Sequence, residues 1–164
     1  MWPWFAAAVF LTGSLPAFGQ TVLTPQQWRE DLKVMAETMP ERHRNLYHTM
    51  SREQFQAAVA ALDARLDTLQ RHQVIVEMAR IAGMVEDGHT NIAPTRDPKI
   101  GFRAFPLALY FFDDGLYVRA AHERHRDLVG AKVVGIGDKT VPQAYAAVRQ
   151  IVGRDNEQDA LFFA

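Results

Sequence analysis

The hydrophobic period of this chain changes once, and the change falls at Asp87-Gly88-His89-Thr90. Before it, apolar residues recur every three or four positions, a spacing that a helix gathers on one face. Trp28, Leu32, Met35 and Met39 form a first stripe. Phe55, Val59, Leu62, Leu66 and Leu69 form a second, and Val74, Met78, Ile81 and Val85 a third. After the change the chain is aromatic, aliphatic and punctuated by Gly and Pro, the composition of short strands and turns. That order implies an α+β fold: three helices that bury their stripes against one another, then a β-rich segment with one helix.

The helical boundaries follow from local chemistry. Thr24-Pro25-Gln26-Gln27 can cap a helix with its first and last members, and Pro25 suits the first helical position. Pro40 is expected to end that helix, because its ring is incompatible with a continuing turn. Residues 41–50 read as a polar connector carrying His43, Tyr47 and His48. Ser51 with Gln54 makes a second capping box, opening a helix that is expected to run to about Leu69. The third run, residues 74–85, is apolar over more of its girth and should be the central helix. Together these make a helical subdomain over residues 20–90.

Residues 91–164 read as the β-rich segment. Residues 91–101 hold two prolines and suggest a short strand and a loop. The runs 105–112 and 116–121, joined by Asp113-Asp114-Gly115, suggest a hairpin whose first strand is buried on both sides. Residues 122–128 read as a charged turn or short helix. Residues 130–141 suggest a strand, a tight Gly-Asp turn and an extension, and residues 142–152 a helix with Ala144, Val148 and Ile151 inward. The apolar end, Leu161-Phe162-Phe163-Ala164, looks like an element cut part-way and without a partner.

Composition narrows the function classes. The 164 residues carry a formal net charge of -1, with no basic cluster of the kind that binds nucleic acid or an anionic membrane. The absence of Cys excludes disulfides, thiolate zinc sites and a cysteine nucleophile. Residues 1–19 are uncharged, have an apolar centre and end with small residues at Ala17 and Gly19. They read as a secretory signal peptide, although no Lys or Arg lies near Met1. A secreted or periplasmic location follows, without a stable membrane anchor once the signal is cleaved.

His89 is the candidate catalytic residue. A histidine titrates near neutral pH without help, and one carried on a tight turn after a helix has a restricted direction, as a general base requires. Gly88 is expected at the left-handed position past the helix end. Asp87 is expected to hydrogen-bond nearby backbone, with Thr90 completing the supporting turn. The other motifs yield less. His122 and His125 are three apart rather than the four of a helical zinc pair. His43 and His48 read as solvated loop residues, and Glu86 and Asp87 as neighbours that point apart. Gly135-x-Gly137 lacks the third Gly of a dinucleotide fingerprint. No metal or cofactor site is read. Ser14 lies in the signal and Ser51 serves as a cap, so a base at His89 has no serine nucleophile within this chain.

Taken in order, several stretches resemble the N-terminal part of the tail-specific (C-terminal-processing) serine protease family. They are the Asp87-Gly88-His89-Thr90 turn, Phe105-Pro106-Leu107, Phe112-Asp113-Asp114-Gly115-Leu116-Tyr117-Val118 and Gly130-Ala131-Lys132-Val133-Val134-Gly135-Ile136-Gly137. The likeness is to the tricorn-like and interphotoreceptor-retinoid-binding-protein-like branch, and it spans roughly residue 23 to the end. It implies a PDZ-like module in the β-rich segment, truncated here before a catalytic α/β core. It places the base at His89, with the nucleophile serine in the missing C-terminal half, so that this chain alone is inactive. The partner implied is a peptide or protein substrate. Two other readings stand beside it. One is a non-catalytic exported module that adds a peptide strand to its sheet edge, with Lys99-Ile100-Gly101-Phe102 as the candidate carboxylate loop. The other is a structural remnant that folds only with its missing half.

Overall fold

Capping boxes led by Thr or Ser start three of the helices. In α1, Pro25–Arg42, the Gln27 N–H donates to Thr24 Oγ1 and the Thr24 N–H donates to the Gln27 side chain, satisfying two donors that the helix start leaves open. The same reciprocal pair joins Ser51 and Gln54 at the head of α2, Arg52–Asp63, and Thr140 and Gln143 at the head of α4, Val141–Val148. The helix between them, α3, spans Arg71–Gly83, and α5 spans Glu157–Phe163. The computed structural model describes residues 23–94, 102 and 104–163; the expected signal segment and most of Lys99-Ile100-Gly101-Phe102 lie outside them.

Three expected helix ends are corrected, one of them that of the helix read over residues 142–152, which as α4 stops at Val148. Pro40 does not stop α1, which continues to Arg42 and closes with the His43 N–H on the Met39 carbonyl at 2.9 Å. A proline this near the end removes one internal bond but leaves the last turn intact. The second helix stops at Asp63 rather than Leu69. Beyond it, i→i+3 bonds link Arg65 to Leu62, Leu66 to Asp63 and Thr68 to Arg65. Such tighter turns keep Leu66 on the buried face, which is why the helical spacing outruns the helix.

The helical core gathers Leu32 from α1, Phe55 and Leu62 from α2, and Val74 and Ile81 from α3. As expected, α3 is the most enclosed, with six buried residues. The connector is less polar in space than in sequence. Leu46 and Met50 are buried in the same core, Tyr47 meets Phe55 edge to face at 6.2 Å, and Thr49 Oγ1 donates to the Met84 and Val85 carbonyls past the end of α3.

The second half is an α+β arrangement with two small antiparallel sheets. Strands β1, Leu107–Phe112, and β2, Gly115–Ala121, form the hairpin, with a bulge between Ala108 and Leu109. Gly115 has φ +149°, a backbone conformation that favours glycine; the end of the Lys132 side chain lies 2.6 Å from where a Cβ would sit, and it is flexible enough to move aside. Residues 130–133 run along β2 through bonds from Gly130 to Val118, Val118 to Ala131 and Val133 to Leu116. Strands β3, Gly135–Ile136, and β4, Lys139–Thr140, make a second hairpin around Gly137 at φ +61°.

Of the stretch read as a short strand and a loop, residues 91–94 form no strand and residues 95–101 lie outside the described residues. Two expectations fail in this half. Strand β1 is not buried on both sides: none of its residues is buried, and Leu109 and Phe112 face solvent. The chain end is not partnerless, because it folds as α5. Ala160 is fully buried there, and Leu161 joins Phe111, Ala144 and Val148 around a small apolar cavity between hairpin and α4.

Candidate functional site

The candidate site begins where α3 ends. Val85 is fully buried, which anchors the chain as it leaves the helix. The left-handed position that follows belongs to Glu86, at φ 53°, and not to Gly88 as expected. Gly88 is glycine for a different reason. A Cβ there would lie 3.0 Å from Asp155 Oδ2, and the Gly88 N–H donates to Asp155 Oδ1 at 2.7 Å. The turn is thus pressed against a segment 67 residues further along.

Within the turn, Asp87 behaves as expected. Its Oδ1 accepts the His89 N–H at 2.8 Å and the Thr90 hydroxyl at 3.2 Å, and its carbonyl accepts the Thr90 N–H at 3.1 Å. Burial alone would push the Asp87 carboxyl upward. The bonds from His89 and Thr90, helped by His43 nearby, outweigh burial and hold it below the usual carboxylate range. Asp87 therefore stays ionised at neutral pH and fixes the backbone on which His89 sits.

His43, expected in a solvated loop, is brought to this turn instead. Its side chain is 18% exposed, and Nε2 lies 3.8 Å from Asp87 Oδ2. Its Nδ1 accepts the Asn45 N–H at 3.2 Å, so a neutral ring carries its proton on Nε2, facing the carboxylate. The gap is too long for a hydrogen bond but short enough for an electrostatic pairing. Sequence reasoning missed this residue because no local pattern links the end of α1 to a turn more than 40 positions away. His48 stays in its loop, its Nδ1 beside the Asn45 carbonyl at 2.8 Å.

The His89 imidazole is 94% exposed. Its Nδ1 lies 4.0 Å from Asp87 Oδ1, and among the described residues the ring has no hydrogen-bond partner. The backbone of the turn is held as expected, while the ring projects into solvent instead of being held by neighbouring side chains. It stands beside a groove of about 440 Å³ between α1 and the 89–92 segment. Met39, Ala82 and Ile92 supply the apolar lining, and Arg42 and His43 the polar lining. Such a groove can take an apolar side chain with a polar group at its edge.

The remaining candidates do not converge on this site. His122 caps the short 3₁₀ helix Glu123–Leu128, its Nδ1 accepting the Arg124 N–H. Ser51 Oγ is spent on the Gln54 N–H. Among the described residues, no three His, Asp or Glu side chains are placed to hold a metal ion, and no helix is long and apolar enough to cross a membrane. Comparison with protein-family models, with curated proteins and with solved structures finds no match for the chain.

Proposed function

We propose that this chain is the N-terminal part of a secreted or periplasmic serine-type peptidase of the tail-specific kind. In this reading His89 is the general base toward a serine hydroxyl supplied from outside these 164 residues. One observation carries it: the backbone under His89 is braced by an ionised Asp87 and by Asp155, while its ring is open and stands beside a groove. A base that is to receive a hydroxyl from another segment needs that combination, a fixed origin and an unoccupied nitrogen. The groove supports a peptide or protein substrate, and the resemblance of the ordered motifs supports the family.

The test joins this chain to the segment that follows it in its gene and measures peptide hydrolysis. His89→Ala is expected to lower kcat by about 10² to 10⁴. Its melting temperature should stay unchanged, since an exposed ring contributes little to stability. An unchanged kcat ends the base assignment, and a following segment without a serine-bearing core ends the peptidase reading.

A PDZ-like peptide-binding role for residues 91–164 is the second reading. It is favoured by the exposed Leu109 and Phe112 on β1, which among the described residues pairs only with β2. In the same preparation it expects peptide binding that His89→Ala leaves untouched.

A further inference from the structure

We infer that Asp155 is a positioning residue for His89: it holds the Gly88 amide so that the imidazole leaves the turn in one direction. The inference rests on the peptidase reading above. It starts from an asymmetry in how the turn is held. The bonds that Asp87 makes to His89 and Thr90 are internal, so they give the turn its shape but not its place. Its place is set by residues 149–157, which press on it at three successive positions.

The first is Gly153. A Cβ there would lie 2.8 Å from the Asp87 carbonyl oxygen and 2.9 Å from that of Thr90, so the two backbones are in contact and only glycine fits. The second is Arg154, buried at 6% exposure. It pairs with Glu86 and also donates to the Arg149 carbonyl at 2.9 Å, which provides the partners that a buried guanidinium needs. The third is Asp155, whose carboxylate accepts the Gly88 N–H; a bond to a charged acceptor is stronger than one between neutral groups. Gly88 immediately precedes His89, so this bond fixes the peptide plane that leads into the catalytic candidate.

Asp155 is itself held. Its N–H donates to Asp159 Oδ2 at 3.2 Å, and the same oxygen accepts from the Asn156 amide at 3.1 Å. Asn156 Oδ1 in turn accepts the Asp159 N–H at 2.9 Å, and Arg149 pairs with Glu157. The start of α5 therefore serves as a mount for Asp155. Unlike the buried Arg154, Asp155 is exposed, so its loss should leave the fold standing while releasing the turn.

Asp155→Ala and Asp155→Asn provide the test. The Asn side chain keeps an oxygen that can accept from Gly88, whereas Ala keeps none. In Asp155→Ala, hydrogen exchange at the Gly88 amide should accelerate about tenfold or more. The amides of residues 87–90 should gain mobility in nitrogen relaxation, and exchange at Leu32, Phe55 and Val74 should stay as in the parent. Asp155→Asn should restore most of the protection. Unchanged exchange at Gly88 in the Ala variant overturns the inference. So does a loss spread evenly over α1, α2 and α3, which marks general destabilisation.

In the protein extended by its serine-bearing segment, Asp155→Ala should lower kcat with KM unchanged, and Asp155→Asn should recover it. A released turn with unchanged kcat also overturns the role. If the parent shows no hydrolysis at all, the peptidase reading falls and the catalytic role of Asp155 falls with it. Its hold on Gly88 is still decided by the exchange measurement, which needs no turnover.

Discussion

In the helical subdomain Phe55 is 2% exposed and Val74 is fully buried; in the hairpin Leu109 is 41% exposed and Phe112 52%. Both regions are rich in apolar residues, yet only one encloses them. The helices present stripes on convex surfaces that three neighbours can cover in common. The hairpin is covered on one side only, where Leu116 and Val118 are buried, and α4 and α5 supply part of that cover. A two-stranded hairpin has little stability of its own in water, so the second half depends on what is docked against it. The join between the halves runs through glycines at 83, 88 and 153, where bare backbone meets carbonyl or carboxylate oxygens of the other half. The candidate turn is therefore built at a seam, with one side self-supporting and the other lent by tertiary contact.

Phe55→Ala should cost about 3 to 5 kcal/mol, because it removes a buried ring from the α2 face and leaves a cavity. Chemical denaturation checks this. If the loss is below 1 kcal/mol, roughly that of an ordinary surface change, the helices are not the self-supporting half.

Gly83→Ala probes the seam itself. In an isolated helix Ala would be favoured by about 1 kcal/mol. Here its Cβ would lie 2.3 Å from the Gln150 carbonyl oxygen, a backbone atom that moves only if the segment behind it moves. The steric term should win, with a net loss of about 1 to 3 kcal/mol. Exchange protection should fall at residues 86–91 and 149–157 before it falls in α1 and α2. A stabilised protein would mean that the seam is loose.

The smallest effect is the response to acid. Asp87 and Glu157, on either side of the seam, both have carboxyls held below their usual range. Asp87 is held down by bonds from His89 and Thr90 against the opposing effect of burial, and Glu157 by the Arg149 guanidinium. A carboxyl with a lowered folded pKa binds its proton more readily when unfolded. Its contribution is complete above the unfolded value and is lost as pH falls through the folded one. Stability should therefore decline below about pH 4 to 5. Asp87→Asn, which cannot titrate, should flatten the decline measured by melting temperature. An identical slope would remove Asp87 from the account.

Much of the fold was legible from local chemistry. Thr24 with Gln27 and Ser51 with Gln54 cap helices as their spacing implied, and Asp113-Asp114-Gly115 turns the hairpin; Thr140, read as part of an extension, also caps a helix. The misreadings have a common cause. Leu46 and Met50 looked like connector, and the last residues looked unpaired, because burial in a loop or a tail depends on neighbours distant in sequence. At the candidate site, the turn and the bonds of Asp87 were readable within four residues. The approach of His43 and the grip of Asp155 were not, since nothing near either residue encodes a partner 44 or 67 positions away.

Local hydrogen bonds and side-chain spacing within a few residues set where α1 and α2 start, which faces the first three helices bury and that a turn carries His89. Only the tertiary structure decided that the His89 ring is open while its backbone is clamped. That outcome depends on residues 149–157 meeting the end of α3, where close backbone approach left room for glycine alone.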